Sequence, residues 1–255
     1  MDPVRVMTYN VRVDTPEDGA NVWRHRRDAV ASTVRYHAPD VLGLQEPLAA
    51  QLEDLRERLP AYRFVGQSRA SAEAAGEYVP IGYRPERFEL RNHDTFWLSE
   101  TPDIEGSVGW DATHPRVCTR ATLRERASGE VVVVFCVHLD HKGRTARRNG
   151  AELVRERAVG VPNGRVVVLG DFNCEAGDPP YERLTSSFRD ARACATHDHG
   201  PNTSRTDFRS LIADWTIDHV FVDDAWTVKG RAACSDQYDD GRYPSDHLPV
   251  VVDLA

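Results

Sequence analysis

The chain has 255 residues, of which 40% are hydrophobic and 28% are charged, as in an ordinary globular protein with enough apolar residues for a sizeable core. A formal net charge of −8 excludes the binding of nucleic acid through bulk positive charge, although a local basic groove on an acidic body is compatible with it. The five cysteines lack a C-x-x-C spacing, which favours a reducing compartment over a disulfide framework.

The predicted elements of the first half alternate between strands and helices. Apolar residues recur with helical spacing over Trp23 to His37 and over Leu48 to Leu59. A loop punctuated by Gly and Pro is predicted over Thr101 to Pro115. The predicted strands of this half are Val4 to Val13, Asp40 to Gln45, Tyr62 to Gly66, Tyr78 to Arg84 and Phe88 to Leu98.

The second half of the chain repeats this order. Arg144 to Ala158 has helical spacing, and the predicted strands are Arg116 to Arg126, Glu130 to His138, Arg165 to Gly170, Thr216 to Val222 and Leu248 to Leu254. Because both halves follow a strand–helix–strand order, we predict an α/β fold. Two mixed β-sheets would pack face to face with helices outside, as a four-layered αββα sandwich.

No repeat or low-complexity linker divides the chain, so we expect a single domain over residues 1–255. The first residues lead directly into a strand pattern without a signal peptide, and no apolar stretch is long enough to span a bilayer. We therefore expect a cytoplasmic protein that does not bind membranes. We also expect a monomer.

Polar side chains recur where the predicted apolar strands end. A single Asp or Asn at such a place is usually a turn residue. Five strand ends that carry carboxylate, amide and imidazole groups indicate instead a common cleft, because rigid strand ends can aim side chains at one point. Oxygen ligands suit hard divalent cations, and phosphoryl transfer needs an oriented water and a proton donor. The residues are Asn10, Glu46, His138, Asp140, Asp171, Asn173, Asp246 and His247.

These positions lie in motifs that resemble the endonuclease/exonuclease/phosphatase superfamily, the group with the pancreatic-deoxyribonuclease fold. The motifs occur in the family's order and cover nearly the whole chain. They are TYNVR (8–12), LQE (44–46), GEYVPIGYR (76–84), VHLD (137–140), GDFN (170–173), IDHVFV (217–222) and SDHLPV (245–250). The segments FWLSETPD (96–103) and GWDATHPRVCTRATL (109–123) resemble a bacterial and archaeal branch of unassigned substrate.

The resemblance implies a metal site and a water-activating group. Glu46 would be the central ligand of Mg²⁺, with Asn10 and Asp246 nearby, and Mn²⁺ would be a substitute ion. Asp171 would orient or deprotonate the attacking water, and Asn173 would hold a phosphate oxygen.

The resemblance also implies two histidines on either side of the phosphate. His247 would contact it and be oriented by Asp218, for which a surface salt bridge is the alternative interpretation. His138 would lie on the other side, paired with Glu77. A carboxylate partner raises the pKa of a histidine and fixes its tautomer, so both imidazoles would be able to neutralise charge on the phosphate oxygens. Arg116 is a further candidate for phosphate binding.

Four other features carry weaker signals. Asp140 is predicted to support the site from behind. His197-Asp198-His199 has the composition of a metal cluster but matches no zinc-ligand spacing, and we predict a loop. Trp97 and Trp110 are predicted as core or loop anchors, with stacking on a base as the alternative. The stretch TSRTDF (203–208) lacks the Gly of the T-x-x-G-F pattern common in relatives, so we expect a different substrate loop.

We therefore predict a Mg²⁺-dependent phosphoesterase that hydrolyses phosphodiester bonds in a nucleic acid, such as a single strand, or in a nucleotide. One alternative is a phosphatase or phosphodiesterase that acts on small sugar or lipid phosphates, which the acidic net charge favours. Another is a non-catalytic binding module on the same scaffold. The complete set of predicted site residues argues against this last alternative.

Overall fold

The computed structural model describes residues 2–71, 76–238 and 241–255. Among these residues, no helix has the length and apolar character needed to cross a membrane. A short 3-10 helix (Pro16–Asn21) precedes the first α-helix. The strands are β1 (Val4–Asn10), β2 (Val41–Gln45), β3 (Arg63–Val65), β4 (Ile81–Tyr83), β5 (Phe88–Trp97), β6 (Val117–Glu125), β7 (Val131–His138), β8 (Arg165–Asp171), β9 (Arg189–Asp190), β10 (His197–His199), β11 (Asp218–Val222), β12 (Val228–Ala233) and β13 (Val250–Leu254). The helices are α1 (Trp23–His37), α2 (Ala49–Arg58), α3 (Arg144–Val159), α4 (Pro179–Thr185) and α5 (Ala191–Cys194).

The described strands form two mixed sheets with apolar layers between and outside them. The first sheet has the order β10-β12-β13-β1-β2-β4-β3, and the second has the order β5-β6-β7-β8-β11-β9. One apolar cluster joins the facing sides of the two sheets. Two others pack α1 and α2 against the first sheet and α3 and α4 against the second. The predicted four-layered sandwich is confirmed.

The central strands are buried on both faces, which explains their uniformly apolar sequence. Along β7, Val132, Val134 and Cys136 face the first sheet. The intervening residues of the same strand, Val133 and Phe135, pack in the cluster that includes α3. A strand covered on both sides in this way has no polar face and therefore shows no alternation of polar and apolar residues.

Two glycines allow close approach of the backbone near the cleft. A Cβ at Gly43 would overlap the Leu169 side chain on the facing sheet. Gly170 has a φ of 154°, and a Cβ there would overlap the carbonyl oxygen of Val137 on the neighbouring strand. The two glycines thus bring the ends of β2, β7 and β8 close enough to share one cleft.

The topology places the polar strand ends at one edge. In the parallel pair of β1 and β2, Asn10 lies opposite Gln45, and in the parallel pair of β7 and β8, His138 lies opposite Asp171. Since β11 runs antiparallel to β8, its first residue, Asp218, also lies opposite Asp171. The loop before β13 reaches this edge because β13 runs antiparallel to β1.

Two predicted elements are corrected by the structure. The first strand ends at Asn10 and not at Val13, because the chain turns at Arg12, whose φ is 59°. The predicted loop over His197 to His199 is an edge strand paired with β12. Its side chains are exposed, and the pairing uses backbone groups, so the side-chain pattern carried no signal for a strand.

Candidate active site

The strand ends open into a cleft of about 420 Å³ lined by groups of opposite charge. We call Glu46, Asp171, Asp218 and Asp246 the carboxylate cluster. We call Arg69, Arg116, His114 and His141 the arginine cluster. Members of both clusters line the cleft, while Asp218 lies behind His247.

Asn10 joins two carboxylates at the centre of the cleft. Its buried side-chain amide donates to Glu46 Oε1 (2.8 Å) and to Asp171 Oδ2 (3.0 Å). The other oxygen of Glu46 accepts the backbone N–H of Val13 at 2.9 Å. Donor atoms of Glu46, Asp171 and His247 all lie within 4.8 Å of one another. The two carboxylates of this group are ligands that suit a hard divalent cation such as Mg²⁺.

Asp171 is held in one orientation by the turn that follows β8. Its Oδ1 accepts the backbone N–H of Asn173 at 2.9 Å, and Asn173 has a φ of 49°. The Asn173 side chain donates to the carbonyl of Leu139 at 3.0 Å. Burial is the main cause that raises the pKa of Asp171 to about 6, and the nearby Asp218 adds to it. This carboxylate is therefore a stronger base than an exposed aspartate.

His247 and Asp218 form the pair that the sequence predicts. Nδ1 of the imidazole lies 2.8 Å from Asp218 Oδ2, and both side chains are buried. Nε2 of His247 is thereby directed toward Asp171 Oδ2, at 3.7 Å. Burial alone would lower the pKa of His247, but Asp218, Asp171 and Asp246 outweigh it and raise the pKa to about 9.

His138 lies in surroundings that the sequence did not predict. Its Nδ1 is 3.9 Å from Glu77, whereas Glu77 makes its short contact, 2.7 Å, with Arg69. Arg116 Nη1 lies 3.2 Å from both ring nitrogens of His138. Burial, followed by Arg116 and Arg69, lowers the pKa of His138 well below its usual value. The expectation of a raised pKa for this histidine is therefore wrong, because burial and two arginines outweigh one distant carboxylate.

Asp140 fixes the orientation of Arg116. Its Oδ1 lies 3.3 Å from Arg116 Nε, and its Oδ2 accepts the backbone N–H groups of Lys142 (3.0 Å) and Gly143 (2.6 Å). The far side of the guanidinium reaches His141 Nδ1 at 2.9 Å. Asp140 thus lies behind the site, as predicted, and it supports Arg116 directly.

Comparison with known proteins shows the family of this chain. The model of the Endonuclease/Exonuclease/phosphatase family matches residues 7–247. The chain belongs to this family. Its members are phosphoester hydrolases.

Two solved structures of family members share the whole fold. An endonuclease/exonuclease/phosphatase from Bacteroides vulgatus is 35% identical with a TM-score of 0.94, covering 100% of this chain and 99% of that chain. The mannosyl-6-phosphatase of Bacteroides thetaiotaomicron is 33% identical with a TM-score of 0.94, covering 99% of each chain.

An uncharacterized protein, R895, of Acanthamoeba polyphaga mimivirus is 24% identical over 242 residues. That match covers 79% of this chain and 35% of the relative, so the chain spans about a third of its length.

In this family member, Asp246 lies beside an arginine that the sequence analysis missed. Arg205 Nη2 is 3.2 Å from Asp246 Oδ2, and its Nη1 contacts Nε2 of His247. Arg12 reaches the same carboxylate oxygen at 4.0 Å. Donor atoms of Asp246 are outside the group of three within 4.8 Å that the described residues form around Glu46. The TSRTDF stretch contains Arg205 and was the only signal for it in the sequence.

The tryptophan at the cleft is Trp215, and neither predicted tryptophan lines it within the described residues. Trp215 is 40% exposed and packs against the guanidinium of Arg205, at 5.0 Å from its ring centre. Trp97 is buried, and its Nε1 donates to the carbonyl of Arg69 at 2.7 Å. Trp97 is therefore a core anchor that fixes the loop of Arg69, and Trp110 is a partly exposed loop residue.

Proposed function

We propose that the protein is a divalent-metal-dependent phosphatase that removes the phosphate group from a small phosphorylated sugar. The observation that carries this proposal is the presence of four arginines beside a metal-type carboxylate group in a cleft of about 420 Å³. A site of that volume suits one small molecule rather than a polymer. The arginines that line it are Arg12, Arg69, Arg116 and Arg205.

Glu46, with Asn10 and Asp246 beside it, would hold Mg²⁺, or Mn²⁺ as a substitute. Their carboxylate and amide oxygens are the donors that such ions prefer. When bound, the ion supplies positive charge that polarises the phosphate ester. Arg205 Nη2 lies 3.2 Å from Asp246 Oδ2, so Asp246 would share its oxygens between Arg205 and a cation.

Asp171 is proposed to orient the attacking water and to accept its proton. The carboxylate is fixed on both oxygens, by Asn10 at 3.0 Å and by the backbone of Asn173 at 2.9 Å. Its raised pKa places its basicity nearer to neutral pH, where a general base is most effective. A fixed base that needs no reorientation lowers the barrier to attack.

Charge that develops on the phosphate oxygens is proposed to be stabilised from two directions. His247, held by Asp218, donates a proton or a hydrogen bond from Nε2. On the other side, Arg116 contributes a permanent charge next to the neutral His138, and Asn173 donates to a phosphate oxygen. Fixed donors of this kind stabilise a transition state without reorganisation.

Glu77 is proposed to act through its neighbours in the arginine cluster. Its carboxylate holds Arg69 at 2.7 Å and lies 3.9 Å from His138. The pair of Glu77 and Arg69 thereby defines one wall of the phosphate site. A phosphomonoester carries about two negative charges at neutral pH, as a phosphorylated side chain does. Arg69 and Arg116 both line this side of the cleft, and two arginines near the phosphate favour a monoester over a diester.

Relatedness supports the same choice of substrate. The Bacteroides thetaiotaomicron structure, at 33% identity over 99% of both chains, is described as a mannosyl-6-phosphatase. The net charge of −8 also disfavours a polyanionic substrate, because an acidic body repels those parts of a polyanion that extend beyond the cleft.

The test compares initial rates on p-nitrophenyl phosphate, bis(p-nitrophenyl) phosphate and a panel of sugar 6-phosphates in Mg²⁺, with EDTA and Asp171→Ala as controls. We expect the monoester to be hydrolysed faster than the diester, and at least one sugar phosphate to be preferred to both. Preference for the diester, lost in both controls, would transfer the assignment to a phosphodiesterase. The absence of turnover on every substrate would instead favour a binding module.

A second candidate, a phosphodiesterase acting on nucleotides or single-stranded nucleic acid, is favoured by Trp215. This side chain is 40% exposed at the cleft and is backed by Arg205, an arrangement able to stack on a base. Salt dependence separates the two candidates. Binding of a polymer releases counterions and weakens steeply with added salt, whereas binding of a sugar phosphate depends on salt only weakly.

A further inference from the structure

A second cavity, of about 460 Å³, lies beside the edge of the first sheet. It is lined by the last residue of α1, His37, by both histidines of β10, and by Cys234 and Asp236, which follow β12. Among the described residues, it shares no lining side chain with the catalytic cleft. The cavity therefore gathers metal-binding side chains that the proposed hydrolysis does not use.

His37, Cys234 and Asp236 are already close together. One donor atom of each lies within 4.8 Å of the other two. The Cys234 Sγ is 3.8 Å from His37 Nδ1, and Asp236 Oδ2 is 2.7 Å from His37 Nε2. Cys234 and Asp236 are two residues apart in the segment after β12, and the fold brings His37, at the end of α1, next to them.

The separation of Cys234 Sγ and His37 Nδ1 matches the geometry of a zinc ligand pair. With Zn–S of about 2.3 Å and Zn–N of about 2.1 Å, two ligands of a tetrahedral ion lie roughly 3.6 Å apart. The observed separation of Sγ and Nδ1, 3.8 Å, is close to this value. A metal-bound histidine also commonly donates its other N–H to a carboxylate, which is the position of Asp236.

We propose that this cavity is a second metal site, which takes a zinc-type transition-metal cation through His37 Nδ1 and Cys234 Sγ. Asp236 holds the far nitrogen of the imidazole. The remaining ligands come from β10, where His199 lies opposite Ala232 and His197 lies opposite Gly230 in the register with β12. Both β10 histidines are exposed and line the cavity.

The surrounding charges permit a cation here. Arg5 is paired with Asp253 at 2.7 Å, and Arg231 is paired with Asp198 at 3.2 Å, so both neighbouring cations are compensated. Metal binding converts the Cys234 thiol to a thiolate and releases its proton to solvent. Because thiolate and imidazole select zinc-type ions while carboxylates select Mg²⁺, the two sites would hold different metals.

The test uses the full-length protein after treatment with EDTA and gel filtration. Zn²⁺ is titrated by calorimetry, and Co²⁺ is titrated while the thiolate-to-cobalt absorption band is recorded. The variants are Cys234→Ser and His37→Gln, with Cys194→Ser as the matched cysteine control outside the cavity. Glu46→Gln/Asp171→Asn removes both carboxylates of the metal-type group in the catalytic cleft.

We expect one ion per chain with a thiolate band, kept in Cys194→Ser and in Glu46→Gln/Asp171→Asn. Cys234→Ser should abolish the band, and both it and His37→Gln should weaken Zn²⁺ binding at least about 100-fold. Asp236→Asn, a change at a surface carboxylate that leaves the fold intact, should weaken binding about 10- to 100-fold. Hydrolysis in Mg²⁺ by Cys234→Ser should equal that of the wild type.

Two results would overturn the proposal. One is unchanged Zn²⁺ affinity in both His37→Gln and Asp236→Asn, which would place the ion elsewhere. The other is loss of all Zn²⁺ binding in Glu46→Gln/Asp171→Asn, which would assign the ion to the catalytic cleft. Circular dichroism in EDTA confirms that each variant is folded before it is titrated.

Discussion

The carboxylate cluster and the arginine cluster each surround one histidine, and the two histidines differ in charge. His247 and His138 are both buried, with 2% and 4% of their surfaces exposed. Each lies next to Asp171, at 3.7 and 3.4 Å. Yet the pKa of His247 is raised to about 9, whereas that of His138 is lowered well below its usual value.

Burial disfavours the charged imidazole in both places and is the largest cause of the lowered pKa of His138. The difference teaches that neighbouring charges decide whether that effect of burial is reinforced, as at His138, or reversed, as at His247. Asp218 lies 2.8 Å from His247, whereas Arg116 lies 3.2 Å from His138. One side of the cleft therefore holds a histidinium that can give a proton, and the other holds a neutral imidazole beside a permanent cation.

Loss of the Asp171 carboxylate, which lies next to both histidines, should reduce activity most. Asp171→Asn removes the proposed base while keeping its shape and its contact with Asn173. We expect the value of kcat/KM on p-nitrophenyl phosphate to fall about 10³-fold, since a positioned general base contributes about 10² to 10⁴. Asp103→Asn, at an exposed carboxylate outside the cleft, is the matched control. A variant with near-normal turnover would refute the role of Asp171.

Loss of Arg116 from the arginine cluster should reduce kcat/KM less than loss of Asp171. Arg116→Gln removes a buried charge beside His138 and frees the carboxylate of Asp140. We expect kcat/KM for a phosphomonoester to fall about 10²-fold, as for the loss of one fixed donor to a developing charge. Arg116→Lys should recover only part of the activity, because an ammonium group cannot replace the fork of a guanidinium.

The ratio of kcat/KM on a monoester to kcat/KM on a diester shows which charge of the substrate Arg116 recognises. If the arginine cluster serves the second charge of a monoester, the Arg116→Gln variant should lose more activity on p-nitrophenyl phosphate than on bis(p-nitrophenyl) phosphate. Equal losses on both substrates would show that Arg116 only maintains the shape of the cleft, and would weaken the choice of a phosphatase.

The carboxylate cluster was more predictable from sequence than the arginine cluster. Asn10, Glu46 and Asp171 follow apolar strands directly, so the strand pattern and the motifs place them together. Arg69 of the arginine cluster lies in a loop, as does Arg205 beside the carboxylate cluster, and side-chain position in a loop depends on loop shape. Arginine is also abundant in this chain, so its presence alone does not identify a functional residue.

The strands also differ in how far the sequence predicts them. The runs of β7 and β8 are buried on both faces and are recognisable as strands by their uniformly apolar residues. β12 contains Lys229 and Gly230 and was not predicted, and β10 is polar and exposed. Both are held by backbone pairing with neighbouring strands, which leaves no trace in the order of side chains.

The charge of His247 should also appear in the stability of the metal-free protein. Its pKa of about 9 lies above the value near 6.5 that is typical of an unfolded chain. Protonation therefore stabilises the fold fully below about pH 6.5, and this contribution is lost as the pH rises through about 9. We expect the difference in free energy of unfolding between wild type and His247→Gln to shrink between these two pH values.

Urea unfolding in EDTA at several pH values measures this difference. His93→Gln, at an exposed position of β5, is the matched control. Its difference from wild type in free energy of unfolding should stay constant over the same pH range. A constant difference for His247→Gln would mean that the carboxylate cluster does not hold a histidinium, and the contrast between the two histidines would be lost.

The smallest effect should come from Trp215, which lies at the cleft beside Arg205 and belongs to neither cluster. Trp215→Ala removes a stacking surface worth about 1–3 kcal/mol for a bound base. On a sugar phosphate, which lacks a base, we expect the KM to change by less than about threefold, with kcat unchanged. On a nucleotide the KM should rise about tenfold if that class is the substrate. Steady-state kinetics on both substrates, with Trp110→Ala as the matched control, therefore tests the identity of the group attached to the phosphate independently of the chemistry performed by the two clusters.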